Sequence, residues 1–341
     1  MIVTPAVLAL SVASVALAGI AVAAMATSAG LLSRFRPGDA DEAQLAREHR
    51  LLLVETTLGG VLWVQLLALL AFLWVADDLH RRLAGAMCAA GTLAAGRFGY
   101  PLLAIKVAAL VLAGLWWLVN RESRGALSPG LVRAKHLSLL GVAGLLVADA
   151  AIQLRYFAEL SPDVLTSCCA TVFRAGFDGL GSRLAAVDAR AGQVVFFALL
   201  GTTLAVGGRR FWSASACERA GAPGGYLYAG LAAATTGAAL VAVVSWVAPA
   251  WYEAPTHHCP FCLLARAEGY VGYPLYAALA AGLLAGLAAG AVRALRPLDD
   301  SGALRPRAEL RLGRSSVTGF LLFTSIAVWP LLVTAFRRGD L

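Results

Sequence analysis

The residues best suited to chemistry lie in one stretch, His257-His258-Cys259-Pro260-Phe261-Cys262-Leu263-Leu264-Ala265-Arg266, which sets two thiols three positions apart beside two imidazoles. That spacing serves disulfide exchange, thiolate coordination of a metal and plain structural cross-linking alike. The apolar run after Cys262 predicts that both thiols stand at the start of a long helix. There the positive end of the helix macrodipole would favour the thiolate and so its reactivity towards disulfides, quinones and soft metals. Four more cysteines follow from the sequence: Cys88, the adjacent pair Cys168 and Cys169, and Cys217.

Positioning these groups is a task for membrane helices. Of the 341 residues 60% are hydrophobic and 14% charged, and the mean hydropathy of +0.75 is that of a polytopic membrane protein, which excludes a soluble core. Apolar runs that would cross roughly 30 Å of hydrocarbon as helices lie near 5 to 31, 51 to 76, 101 to 119, 137 to 155, 191 to 208, 227 to 249, 270 to 293 and 319 to 336. The sequence therefore predicts an all-α fold of eight transmembrane helices in a lipid bilayer. Leu83 to Ala95 is apolar but short, and reads as a re-entrant or interfacial piece. The net charge of +8 does not point to nucleic acid, because the basic residues sit between the spans and not in one patch.

Those basic residues orient the chain. Connections 33 to 50, 120 to 136, 209 to 225 and 293 to 318 hold 17 Lys and Arg, against 9 in the other connections and the C-terminal tail. The richer set is expected in the cytoplasm, with both termini outside. The first span reads as a retained N-out helix, with a cleaved signal near Ala24 and Ala26 as the alternative. This topology puts Cys88, Cys168, Cys169, Cys259 and Cys262 on the extracytoplasmic face of a bacterial inner membrane, and Cys217 alone in the cytoplasm. Five outward thiols cannot all pair within one chain, and adjacent Cys168 and Cys169 are strained partners for each other.

The two halves echo each other. Trp74-Val75-Ala76, Cys88 and Gly96-Arg97-Phe98-Gly99-Tyr100-Pro101 are matched by Trp246-Val247-Ala248, Cys259 and Cys262, and Gly269-Tyr270-Val271-Gly272-Tyr273-Pro274. Gly125-Ala126-Leu127-Ser128-Pro129 has its counterpart in Gly302-Ala303-Leu304-Arg305-Pro306. Ordered matches near half the chain length suggest tandem four-helix repeats, residues 1 to 155 and 191 to 341, joined by an extracytoplasmic loop at 156 to 190. Cys88 and the Cys259/Cys262 pair would then take equivalent positions, and all five outer thiols would converge.

Cys259-Pro260-Phe261-Cys262 with Arg266 four residues on resembles the quinone-proximal motif of the DsbB family of bacterial thiol-quinone oxidoreductases. The resemblance covers about ten residues. It implies a membrane enzyme passing electrons between an extracytoplasmic thiol protein and membrane quinone. Cys262 would face the quinone, Cys259 would exchange with it, and Arg266, with His258 nearby, would contact the quinone. The second redox pair of that family would fall to Cys168 or Cys169 with Cys88. This chain departs from the family in its eight spans and its separated second pair.

A second chemistry is soft-metal binding or transport. His257, His258, Cys259 and Cys262 offer imidazole and thiolate ligands, and Cys88, Cys168 and Cys169 would complete a site for Cu(I), Zn(II) or Hg(II). A third reading makes the chain a non-catalytic subunit of a respiratory or assembly complex. Glu55, Lys106 and Asp149 fall inside spans, where ionisable residues are functional by default; Lys106 and Asp149 stand at depths that allow them to pair. His49 and His136 end the second and fourth spans at similar depth, which is compatible with a bis-His haem.

Overall fold

A computed structural model describes residues 4–32, 42–124, 128–161, 166, 172–212, 224–302, 304 and 306–338. Cys168, Cys169 and Cys217 lie outside the described residues. All regular structure among the described residues is helical: α1 (Pro5–Leu32), α2 (Glu42–Leu79), α3 (Ala89–Ala94), α4 (Gly99–Glu122), α5 (Pro129–Glu159), α6 (Leu180–Ala185), α7 (Ala189–Phe211), α8 (Gly224–Ala242), α9 (Ala248–Trp251), α10 (Gly272–Leu295) and α11 (Pro306–Arg338). A π turn, Val243–Val247, welds α8 to α9, so Gly224–Trp251 is one continuous span, and among the described residues eight helices are long and apolar enough to cross a membrane. The chain is an all-α, multi-pass membrane protein. The two Gly-Tyr-Pro sequences open α4 and α10, each with proline in the first turn, where its missing N–H costs nothing.

The chain divides into two compact units. Unit 1 comprises residues 1–75, 96–162 and 291–308, and unit 2 residues 76–95, 163–290 and 309–341. In unit 1, Leu17, Ala21, Leu58, Leu62, Ala113, Trp116, Leu139 and Leu146 bring α1, α2, α4 and α5 around one apolar core. Polar groups interrupt it. Lys106 Nζ lies 2.9 Å from Asp149 Oδ1 and donates to Oδ2 at 3.0 Å, while Gln65 Nε2 donates to the same oxygen at 3.0 Å. Lys135 pairs with Glu55 and donates to Asn120 Oδ1 at 3.0 Å. Charges inside hydrocarbon persist only when neutralised and hydrogen-bonded in this way. The pairing that the depths of Lys106 and Asp149 allow is present. His136 is buried and bonded through Nδ1 to the Val132 carbonyl at 2.8 Å, whereas His49 is exposed on α2.

Unit 2 is packed by small residues. A Cβ on Gly319 would stand 2.6 Å from the backbone nitrogen of Gly282, one on Gly286 2.6 Å from Ala232 Cβ, and one on Gly290 2.7 Å from Ala229 Cβ. Glycine lets α10 press against α8 and α11 at these points, the usual way to gain dispersion where no hydrophobic effect drives helix pairing. Phe196, Trp246, Leu275, Phe320 and Phe323 fill the remaining core. The stretch 83–95, expected at an interface or as a re-entrant piece, folds as the six-residue α3, with Ala89, Ala90 and Leu93 wholly buried.

Candidate functional site

Three of the predicted thiols meet at one end of unit 2. Cys88 is the extended residue that caps the start of α3, where its carbonyl accepts from Gly91 N at 3.0 Å and Thr92 N at 3.3 Å. The preceding turn is fixed by Thr166, whose N–H donates to Ala84 O and whose hydroxyl donates to Gly91 O at 2.7 Å. Cys259 and Cys262 come from the connection between α9 and α10. Cys88 Sγ and Cys259 Sγ are 3.7 Å apart, too far for a covalent bond between them. The sulfurs of Cys88, Cys259 and Cys262 all lie within 4.8 Å of one another. Cys88 and Cys259 are buried and Cys262 is half-buried, in a wall that includes Ala90, Phe173, Ala185, Val244 and Phe261.

The expectation that Cys259 and Cys262 open a long helix is corrected. Cys262–Leu264 is a single 3₁₀ turn followed by a second, Arg266–Glu268, and α10 begins only at Gly272. Gly269 (φ 62°) and Tyr270 (φ 59°) adopt left-handed backbone, which an α-helix cannot contain. Neither thiol therefore belongs to the first turn of α10.

Side-chain clamps hold the loop in the helix's place. The defect that supplies one of them is encoded by Pro249. Ala248 N–H reaches back five residues to Val243 O, so the next N–H in that register belongs to position 249, a proline that has none. The Val244 carbonyl thus left over lies 2.9 Å from His258 Nδ1. A carbonyl only accepts, so Nδ1 carries the proton. Tyr252 OH donates to Cys259 O at 2.6 Å, and Tyr276 OH donates to Pro260 O at 2.8 Å. Burial, with the sulfurs of Cys262 and Cys259 close by, pushes the Tyr252 phenol well above its ordinary value, which keeps it a donor at any physiological pH.

The other predicted residues take different places. His258 works on the backbone, and neither it nor His257 contributes a nitrogen to the cluster of donor atoms. The His257 ring stands edge-on to Tyr252 at 4.6 Å, with Nε2 buried and lacking a hydrogen-bond partner. Arg266 is exposed on its 3₁₀ turn. Tyr252, Tyr276 and the Val244 carbonyl were not singled out by sequence. The one available signal was Pro249 inside an apolar span, which forecasts a helix irregularity but not what fills it. No family model, curated protein or solved structure matches this chain.

Proposed function

We propose that this chain binds a thiophilic cation, of the Cu(I), Zn(II) or Hg(II) class, through Cys88, Cys259 and Cys262. The observation that carries this reading is the convergence of three sulfurs within 4.8 Å in a largely buried, apolar pocket. A metal with bonds of about 2.3 Å to sulfur holds tetrahedral thiolates about 3.8 Å apart and trigonal ones about 4.0 Å apart. The Cys88–Cys259 separation of 3.7 Å meets the first figure. Three thiolates confined to an apolar space repel one another, and a soft cation bonded to all three removes that repulsion. The clamps from His258, Tyr252 and Tyr276 fix the backbone carrying Cys259, so little ordering remains for binding to impose. The bias of Lys and Arg supports an extracytoplasmic position in a bacterial inner membrane for this site.

Purified full-length protein, reduced and loaded with Cu(I) or Zn(II), is expected to retain about one equivalent per chain. Cys88→Ser, Cys259→Ser and Cys262→Ser should each weaken retention by about two orders of magnitude, since each removes a third of the donor set. Wild-type protein that retains no metal after loading overturns the proposal.

A second reading, thiol-disulfide exchange with a dithiol partner and membrane quinone, is favoured by a different observation. Cys262 is half-buried beside two buried sulfurs already near contact. In its internal step the Cys262 thiolate attacks Cys259 Sγ of a Cys88–Cys259 disulfide, forming Cys259–Cys262 and releasing the Cys88 thiolate, with no net change in oxidation. Oxidation of a reduced pair to a disulfide would release two electrons and two protons, which reduce quinone to quinol, with Arg266 as the proposed quinone contact. Disulfide mapping by mass spectrometry should then show a Cys259 bond that disappears when quinone is depleted; a bond state indifferent to quinone sinks this alternative.

A further inference from the structure

Unit 1 contains a groove of about 360 Å³ between α2 and α4 that is separate from the sulfur site. Its α2 wall is a single helical stripe running from Leu52 through Glu55 and Gly60 to Trp63. Its opposite wall runs from Arg124, in the turn just after α4, through Arg121 to Trp117 on the helix. Because the two helices run in opposite directions through it, one end of the groove is basic and the other aromatic. Trp63 and Trp117 meet edge to face with ring centroids 5.2 Å apart. The Arg121 guanidinium carbon stands over the Trp117 ring, 5.5 Å from its centroid, within the range of a cation–π contact.

The space is built in by composition. A Cβ at Gly60 would meet nothing within 4 Å, and one at Gly59 would reach only Trp117 at 3.8 Å. Neither glycine is demanded by helix contact, unlike those of unit 2, yet each lowers helix propensity. Their effect is to leave the groove open. Its charge is settled too. Glu55 is engaged by Lys135 from beneath, so the pair is internally neutral and the two arginines set the sign at the mouth.

We infer that this groove binds an anionic glycerophospholipid, its phosphodiester against Arg121 and Arg124 and an acyl chain along Trp63 and Trp117. The Glu55 carboxylate and Asn120 amide, both on the wall, offer partners for head-group hydroxyls, which favours a phosphatidylglycerol-type head over a choline head. The mouth lies at the helix ends that carry connections 33 to 50 and 120 to 136, where a basic pocket between helices suits anionic lipid.

The test uses delipidated full-length protein in detergent, titrated with phosphatidylglycerol, phosphatidylcholine, free glycerol phosphate and decylubiquinone, with bound species counted by native mass spectrometry. Wild-type protein should prefer phosphatidylglycerol over phosphatidylcholine by about tenfold or more, on the order of the attraction two basic residues supply. Arg121→Gln/Arg124→Gln, which alters exposed side chains only, should bring that ratio to within about twofold. Gly60→Leu should weaken both lipids by filling the groove; if that variant fails to fold, the double arginine variant alone decides. Equal binding of the two lipids by wild-type protein, or a preference unchanged in the arginine variant, overturns the inference. Displacement of the lipid by equimolar glycerol phosphate or by decylubiquinone overturns it as well, the former in favour of a soluble phosphorylated ligand and the latter in favour of quinone.

Discussion

Lys106 and Lys135 reach the carboxylates of Asp149 and Glu55 between the helices of unit 1, whereas the helices of unit 2 close on one another through Gly282, Gly286, Gly290 and Gly319. Unit 2 has a buried ion pair as well, Arg210 with Glu309, but it lies at the first turn of α11 and the last of α7 and not in mid-span. One interior is held by charge compensation, which is unforgiving of a lost partner, and the other by close backbone approach, which is unforgiving of added volume. A site of converging sulfurs fits the second kind of interior, because tight small-residue packing fixes helix ends without placing competing charges near them.

Three experiments sharpen that contrast. The largest effect is expected from Asp149→Ala, which strands Lys106 and should destabilise unit 1 by about 3–5 kcal/mol. The double change Lys106→Met/Asp149→Leu should recover most of that loss. Unfolding in mixed micelles measures both, and equal loss in single and double variants would show that the pair is not the source. Next comes a glycine exchange. Gly319→Ala forces a methyl against the Gly282 backbone and should cost about 1–3 kcal/mol, while Gly60→Ala in unit 1 should be neutral or stabilising by up to about 1 kcal/mol. Similar costs at both positions would erase the distinction between the two interiors.

The smallest effects concern pH and carry opposite signs. Asp299 in unit 1 is partly buried, which alone would raise its value; hydrogen bonds from Leu304 N, the Ser301 and Ser128 hydroxyls and Ser301 N outweigh that and hold the carboxyl below its ordinary 3.8. A depressed carboxyl stabilises the fold above its unfolded value, and the contribution is lost as pH falls through the folded one. Glu268 in unit 2 is raised above 4.5 by burial, against the pull of His257, so its ionisation opposes folding as pH rises past that value. Asp299→Asn should therefore destabilise at pH 7 and Glu268→Gln should stabilise slightly, with each difference shrinking at acid pH in thermal unfolding profiles. A common sign for the two variants would contradict these assignments.

Much of the fold was legible because the bilayer imposes it. Twenty apolar residues have few alternatives to a helix, and Lys106 and Asp149 stand out in spans that otherwise hold few charges. Pairing Cys88 with the Cys259/Cys262 stretch drew on the echo between the halves, and those sulfurs do share a pocket. The partner of Glu55 was not read, because Lys135 lies near a span boundary and looks like an interface residue in sequence. The path from Cys262 to Gly272 was misread as helix because Leu263, Leu264 and Ala265 are good helix formers, and the left-handed backbone at Gly269 and Tyr270 overrides them. His258 was read as a ligand because an imidazole beside a thiol usually suggests one. Its actual acceptor, the Val244 carbonyl, comes from a π turn that no apolar periodicity encodes.

That turn also stores a residue. A π turn holds one residue more than the α turn it replaces over nearly the same arc. Deleting a single residue from Val243–Val247 would therefore let it close to an ordinary α turn, keep the span long enough for the bilayer and leave Trp251 and Tyr252 on the faces they hold. What such a deletion alters is the widened turn from which Val244 presents its carbonyl to His258, and hydropathy alone would register no difference.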